Sequence, residues 1–193
     1  TMDVCEGLTT ILVNTTPDGT WTSSDVTVAD IDASGVVSGH TAGTTNITYT
    51  ITATGCIKTA LVTVNPLPAV ITETPVVCEG LTVALTNTSL GGTWSSGTTS
   101  VATVGSSTGV VTGVLAGNAT ITYTLPTGCI RTTVATVNPL PADITGTMDV
   151  CEGLTTTLAN VTPDGTWTSS NSAIADIDAS GVVTGMTAGT ATI

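Results

Sequence analysis

The 193-residue chain is 40% apolar and only 8% charged, lacks Phe, and carries a net charge of −12 with Lys58 and Arg131 as its sole Lys and Arg. Phosphate binding needs clustered Lys and Arg, so nucleic acid is excluded as a partner. The same shortage argues against anionic membrane surfaces, and no stretch reaches the roughly 18 apolar residues of a membrane helix. Thr accounts for 47 residues. With Val and Ile it makes a β-branched composition suited to half-buried strands.

Along the chain, Val-Cys-Glu-Gly-Leu-Thr opens the pattern at Val4–Thr9 and returns at Val77–Thr82 and Val150–Thr155, in steps of 73. Gly-Thr-Trp follows, at Trp21, Trp94 and Trp167 with the same step. Asp30-Ile-Asp32 and Asp176-Ile-Asp178 precede Ala-Ser-Gly turns. Gly-Val-Val-(Ser/Thr)-Gly then recurs at Gly35–Gly39, Gly109–Gly113 and Gly181–Gly185. Its steps of 74 and 72 mark a one-residue insertion in the middle repeat. The alternation of Thr45–Thr52 places Ile47, Tyr49 and Ile51 on one strand face, and Ile121, Tyr123 and Leu125 repeat it. Asn-Pro-Leu-Pro ends the unit at Asn65–Pro68 and Asn138–Pro141. Pro terminates a central strand and stiffens the joint.

A fixed period of this length means an array of modules. Residues 1–47 match 147–193 at 36 of 47 positions, so the order is A-B-A′ and the larger repeat is a pair of modules. About seven short strands per unit, with turns every 8–12 residues, predict an all-β array of immunoglobulin-like β-sandwiches. The expected modules are 1–68, 69–141 and 142–193, the third lacking its last strands. The chain opens and closes inside a repeat, and its termini are expected to lie elsewhere.

Trp-(Thr/Ser)-Ser, Val-Ala-Thr-Val or Ile-Ala-Asp-Ile, Gly-Val-Val-Thr-Gly, Ala-Gly and Thr-Ile-Thr-Tyr together resemble the bacterial Ig-like domain of group 2, most fully from Trp94 to Tyr123. The added Val-Cys-Glu-Gly and Gly-Cys-Ile-(Lys/Arg)-Thr look like variants in large secreted proteins of Bacteroidota. The resemblance implies a sandwich fold, a place in surface adhesins, intimin- or invasin-like stalks or extracellular fibres, and no catalytic residues.

Cys5, Cys56, Cys78, Cys129 and Cys151 recur with the modules, which implies an oxidising, extracellular location. Equal spacing favours Cys5–Cys56 and Cys78–Cys129, leaving Cys151 to pair outside the chain. In an Ig topology, however, those partners fall at opposite ends of one sandwich. Cys5–Cys129, stapling neighbouring modules, is the alternative.

Trp21, Trp94 and Trp167 are expected to be core residues of each sandwich, the other reading being a carbohydrate-stacking platform. Asp30, Asp32, Asp176 and Asp178 are weak Ca²⁺ candidates, set against a simple turn role, and no other cofactor is implied. Asn-x-(Thr/Ser) occurs at Asn14, Asn46, Asn87, Asn118 and Asn160, as so much Thr makes common. His40 is the only His and its counterpart is Met186, which excludes a catalytic triad. The function expected is therefore a non-enzymatic structural segment of an extracellular fibre or adhesin stalk. It would associate with itself or with further modules of its chain. The alternative is a module binding surface glycans, possibly accessory to a secreted polysaccharide-degrading enzyme.

Overall fold

The computed structural model describes residues 2–193, all of them in strands, turns and connections. The first module has seven strands: β1 (Met2–Cys5), β2 (Thr9–Ile11), β3 (Gly19–Ser23), β4 (Ala29–Ile31), β5 (Val36–Gly39), β6 (Gly43–Ile51) and β7 (Ile57–Asn65). They form a four-stranded sheet ordered β1-β7-β6-β3 and a three-stranded sheet ordered β2-β5-β4. All pairings are antiparallel except β1 on β7. Period-two alternation dictates this arrangement. Ile47 and Tyr49 of β6 and Val62 and Val64 of β7 point inward and are buried, and Val37 closes the core from the other sheet. Thr residues fill much of the outer face, where Thr22 pairs with Thr48 and Thr48 with Thr59 across strands. Such cross-strand Thr pairs stabilise a sheet by fractions of a kcal/mol each, about 0.2–1.

The second module repeats the plan with β8 (Val76–Cys78), β9 (Thr82–Ala84), β10 (Thr93–Ser96), β11 (Ala102–Val104), β12 (Val110–Gly113), β13 (Gly117–Thr124) and β14 (Ile130–Asn138). Its sheets are β10-β13-β14-β8 and β11-β12-β9. The fold is thus all-β with Ig-like β-sandwich modules, as the alternation predicts. Each module has its own apolar core, the second built on Ile121, Val111, Trp94 and Tyr123.

The Gly-Thr-Trp motif has a physical cause. Tyr123 Oη donates to Ser89 O at 2.6 Å and accepts from Gly92 N at 3.0 Å, and Tyr49 does the same with Thr16 O and Gly19 N. A Cβ at Gly92 would lie 2.4 Å from the Tyr123 ring, so no other residue fits. The Trp beside it packs on the same ring, edge-on in the first module and tilted in the second, with centroids 4.7 Å apart in both.

By its contacts the chain divides into two compact units. One ends at Pro139 and holds both complete sandwiches, and the other is Leu140–Ile193. The second unit forms one sheet, β15-β16-β18-β17, from β15 (Thr145–Gly146), β16 (Thr155–Ala159), β17 (Ala175–Ile177) and β18 (Val182–Gly185).

Candidate functional site

The feature that sets the first unit apart is the joint between its two sandwiches. The structure closes a disulfide between Cys5 and Cys129, with Cα atoms 5.7 Å apart and 124 residues between them in sequence. Cys56, Cys78 and Cys151 are free. This corrects the pairing favoured by spacing, Cys5–Cys56 and Cys78–Cys129, and the reason lies in strand register. The parallel pairing of β1 with β7 sets Cys5 opposite Asn65, whereas Cys56 precedes β7 at its far end. Nine residues of strand separate them by about 30 Å, against the roughly 4.4–6.8 Å a disulfide spans between Cα atoms. Cys78 and Cys129 stand apart in the same way, because Cys78 is opposite Asn138 on β14. The β13–β14 hairpin instead reaches the Cys5 end of the preceding sandwich, and Cys129 is buried there with 1% exposure.

Polar contacts fix the connecting segment from both sides. Glu6, next to the bonded Cys5, accepts from Ala42 N at 2.8 Å and from Leu67 N at 3.3 Å. Its own amide donates to Asn65 O at 3.0 Å. On the side of the second sandwich, Arg131 Nε donates to Pro68 O at 3.1 Å. Asn87 Nδ2 donates to Ala69 O at 2.8 Å, and Ala69 N donates to Ser89 Oγ at 2.8 Å. The Pro68 side chain is fully buried. A linker whose amides and carbonyls are bonded to both neighbours cannot act as a free hinge.

Sequence reasoning found the cysteines and the Asn-Pro-Leu-Pro boundary but missed Glu6, Asn87, Ser89 and Arg131. The available signal was that Asn14, Asn87 and Asn160 recur in all three modules, whereas Asn46 and Asn118 have no Asn counterpart in the third. Asn160 plays the same part in the second unit, where its Nδ2 donates to Ala142 O and Ala142 N donates to Thr162 Oγ1 at 2.8 Å.

The three Trp differ. Trp94 is buried at 7% exposure, while Trp21 is half-buried and packs on the first core. Trp167 is half-buried in the second unit. A cavity of about 530 Å³ in that unit is lined by Met148, Leu158, Ile174, Val183 and Ile193 among others. Leu158 and Val183 correspond to Leu12 and Val37 of the first module, which contribute to its core, so this cavity is uncovered core.

Asp32 and Asp178 serve turns. Asp32 Oδ1 accepts from Ser34 Oγ at 2.7 Å and from the amides of Ser34 and Val36, both at 2.9 Å. Asp178 repeats this with Ser180 and Val182. Asp30 and Asp176 are exposed neighbours, Asp30 lying 3.3 Å from His40 Nε2. Among the described residues no three His, Cys, Asp or Glu side chains are grouped to hold a metal. The Ser34 hydroxyl first, and then the Val36 amide, hold the Asp32 carboxyl below its usual range. Ser180 and Val182 do so for Asp178. The Thr86 hydroxyl lowers Glu73 and the Thr27 hydroxyl lowers Asp25. A carboxyl lowered in the folded state stabilises above its unfolded pKa, and this is lost as pH falls through the lowered value. A D32A/D178A chain is therefore expected to have a lower urea midpoint than the parent at pH 7, with the gap closing on acidification. An unchanged gap down to pH 2 would contradict the turn role.

The sandwich and its repeated motifs are those of a bacterial Ig-like module. The model of the bacterial Ig-like domain (group 2) matches residues 7–62 and 144–193, more than half of the chain, which therefore belongs to that family. The match falls on the first and third modules rather than on Trp94–Tyr123, where the motifs look fullest. The chain is also similar to Ice-binding protein 1 of Shewanella frigidimarina (strain NCIMB 400), with 29% identity over 213 residues. That alignment takes in 95% of this chain and spans 23% of the length of that protein. Among solved structures, domains 4 and 5 of the S-layer protein SbsC are 24% identical, covering 63% of this chain and 70% of that one, at a TM-score of 0.29. The C-terminal 282-residue fragment of intimin, solved with the intimin-binding domain of the translocated intimin receptor, is 19% identical. It covers 72% of this chain and 59% of that one at a TM-score of 0.41.

Proposed function

We propose that the chain is a non-enzymatic structural segment of a long secreted fibre or cell-surface stalk, of the kind carried by large surface proteins of Bacteroidota. The observation that carries this reading is the joint: two sandwiches share a linker bonded on both sides and a covalent staple across it. Such a joint gives reach without collapse, and tightly turned, disulfide-linked β-modules offer proteases few open segments. A disulfide also fits an oxidising, extracellular setting. No helix among the described residues is long and apolar enough to cross a membrane. Similarity to about a quarter of a longer ice-binding protein suits a spacer segment. Glycan stacking would need an open aromatic face; Trp94 turns its ring into the core against Tyr123, and half-buried Trp21 packs on the first core.

Immunogold electron microscopy of the producing cells, with antibodies raised against this chain, tests the proposal. Label distributed along thin surface fibres is the expected result. Label confined to dispersed soluble protein, together with tight binding of the purified chain to glycan arrays, would overturn it.

A further inference from the structure

Where a load enters a sandwich and where it leaves are set by its first and last strands. In the first sandwich these are β1 and β7, which lie side by side and parallel, with Met2 opposite Val62 and Cys5 opposite Asn65. In the second they are β8 and β14, again parallel, with Val76 opposite Thr136 and Cys78 opposite Asn138. Tension on the chain draws the first strand backwards and the last strand forwards. In a parallel pair the two must then slide past each other along their length, so the evenly spaced bonds of the ladder are strained together and not one after another. The turn after each first strand closes its ladder: Glu6 N donates to Asn65 O at 3.0 Å, and Glu79 N donates to Asn138 O at 3.1 Å. Both sandwiches are therefore clamped against extension from their ends. In the second unit, by contrast, every strand pairing is antiparallel.

The Cys5–Cys129 bond reroutes the load. Cys5 is the last residue of β1, and Cys129 stands immediately before β14. With the bond closed, tension runs along β1 to Cys5, crosses to Cys129 and leaves along β14. Each of these strands is then held at its own two ends. Nothing draws β1 past β7, and nothing draws β14 past β8.

We propose that the Cys5–Cys129 bond is a mechanical bypass. Closed, it keeps the β1–β7 and β8–β14 clamps off the load path; open, it places both clamps on that path in series. The joint is then inextensible while the bond is closed, and it yields in two high-force steps once the bond is open. The proposal rests on the stalk reading for its place in the cell. It concerns how the joint carries load, so it can fail while surface fibres are still seen.

The test stretches single molecules of the full 193-residue chain from its two ends at constant speed, as the oxidised parent and as C5S. C5S is expected to give two events, each releasing roughly 200 Å of contour, at forces several-fold above the release of the second unit. The oxidised parent should give only that last release. Forced unfolding follows the barrier and not the equilibrium stability, so a variant that alters the ladder alone separates clamp from core. Glu6 is the second residue of the turn Cys5-Glu6-Gly7-Leu8, closed by Leu8 N donating to Cys5 O at 3.0 Å, with Gly7 at φ 73°. This is a type II turn, which favours Pro at the second position. E6P therefore removes the bond to Asn65 O without straining the turn, while E6A loses the same carboxylate and keeps that bond. In the C5S background, E6P should lower the force of the first sandwich's event below that of E6A, with similar urea midpoints and the other event unchanged. High-force events in the oxidised parent, C5S events no stronger than the release of the second unit, or equal forces for E6P and E6A would overturn the proposal.

Discussion

Pulled from its two ends with the Cys5–Cys129 bond closed, the chain is expected to release roughly 400–450 Å less contour length than after reduction. The bond spans 124 residues, and each extended residue contributes about 3.3–3.6 Å. Force entering at the N-terminus passes through Cys5 into Cys129, and everything between them, including the first core and most of the second, is shielded. C5S in single-molecule stretching should recover the full length without reductant. The bond also restricts the unfolded chain, and loop entropy for a ring of this size corresponds to about 5 kcal/mol. That is comparable to the whole stability of many small domains. A C5S chain is thus expected to unfold at a much lower denaturant concentration, read by equilibrium titration of both forms without reductant. Equal contour lengths for oxidised parent and C5S would show that the bond does not cross the joint.

Trp94→Ala should be the most damaging single truncation of a side chain in the second sandwich. The ring is 7% exposed, sits in the largest core cluster and packs on Tyr123 at 4.7 Å. Buried Trp-to-Ala changes cost about 3–5 kcal/mol. The damage also reaches the joint, because the Tyr123 hydroxyl bonds Ser89 O and Ser89 Oγ accepts from Ala69 N. Trp21→Ala, at a half-buried position, should cost clearly less. Denaturant titrations of both variants with the disulfide intact check the order, and equal losses would contradict the burial difference.

How much of this was legible in the sequence depended on whether the signal was local. Alternation in Thr45–Thr52 places Ile47 and Tyr49 inward because strand side chains alternate whatever their neighbours. The Gly-Thr-Trp repeat was visible in the sequence, but the close approach it serves shows only in the bonds to the Tyr49 and Tyr123 hydroxyls. The disulfide was illegible from spacing because a 73-residue period makes pairings within and between modules look alike. Only the parallel register of Cys5 with Asn65 decides between them. The roles of Glu6 and Asn87 were not legible because their partners are backbone groups of Leu67 and Ala69, which leave no trace in residue identity. The Asp32 turn was readable as Asp-Ala-Ser-Gly, since an Asx turn needs only its own amides two and four residues on.

The stalk reading stands on the staple across the joint, which non-reducing peptide mapping of the unreduced chain checks. The expected result is one cross-linked peptide pair within each chain, joining Cys5 to Cys129. Peptides joining Cys5 to Cys56 and Cys78 to Cys129 would contradict it, and would return the modules to separately closed beads.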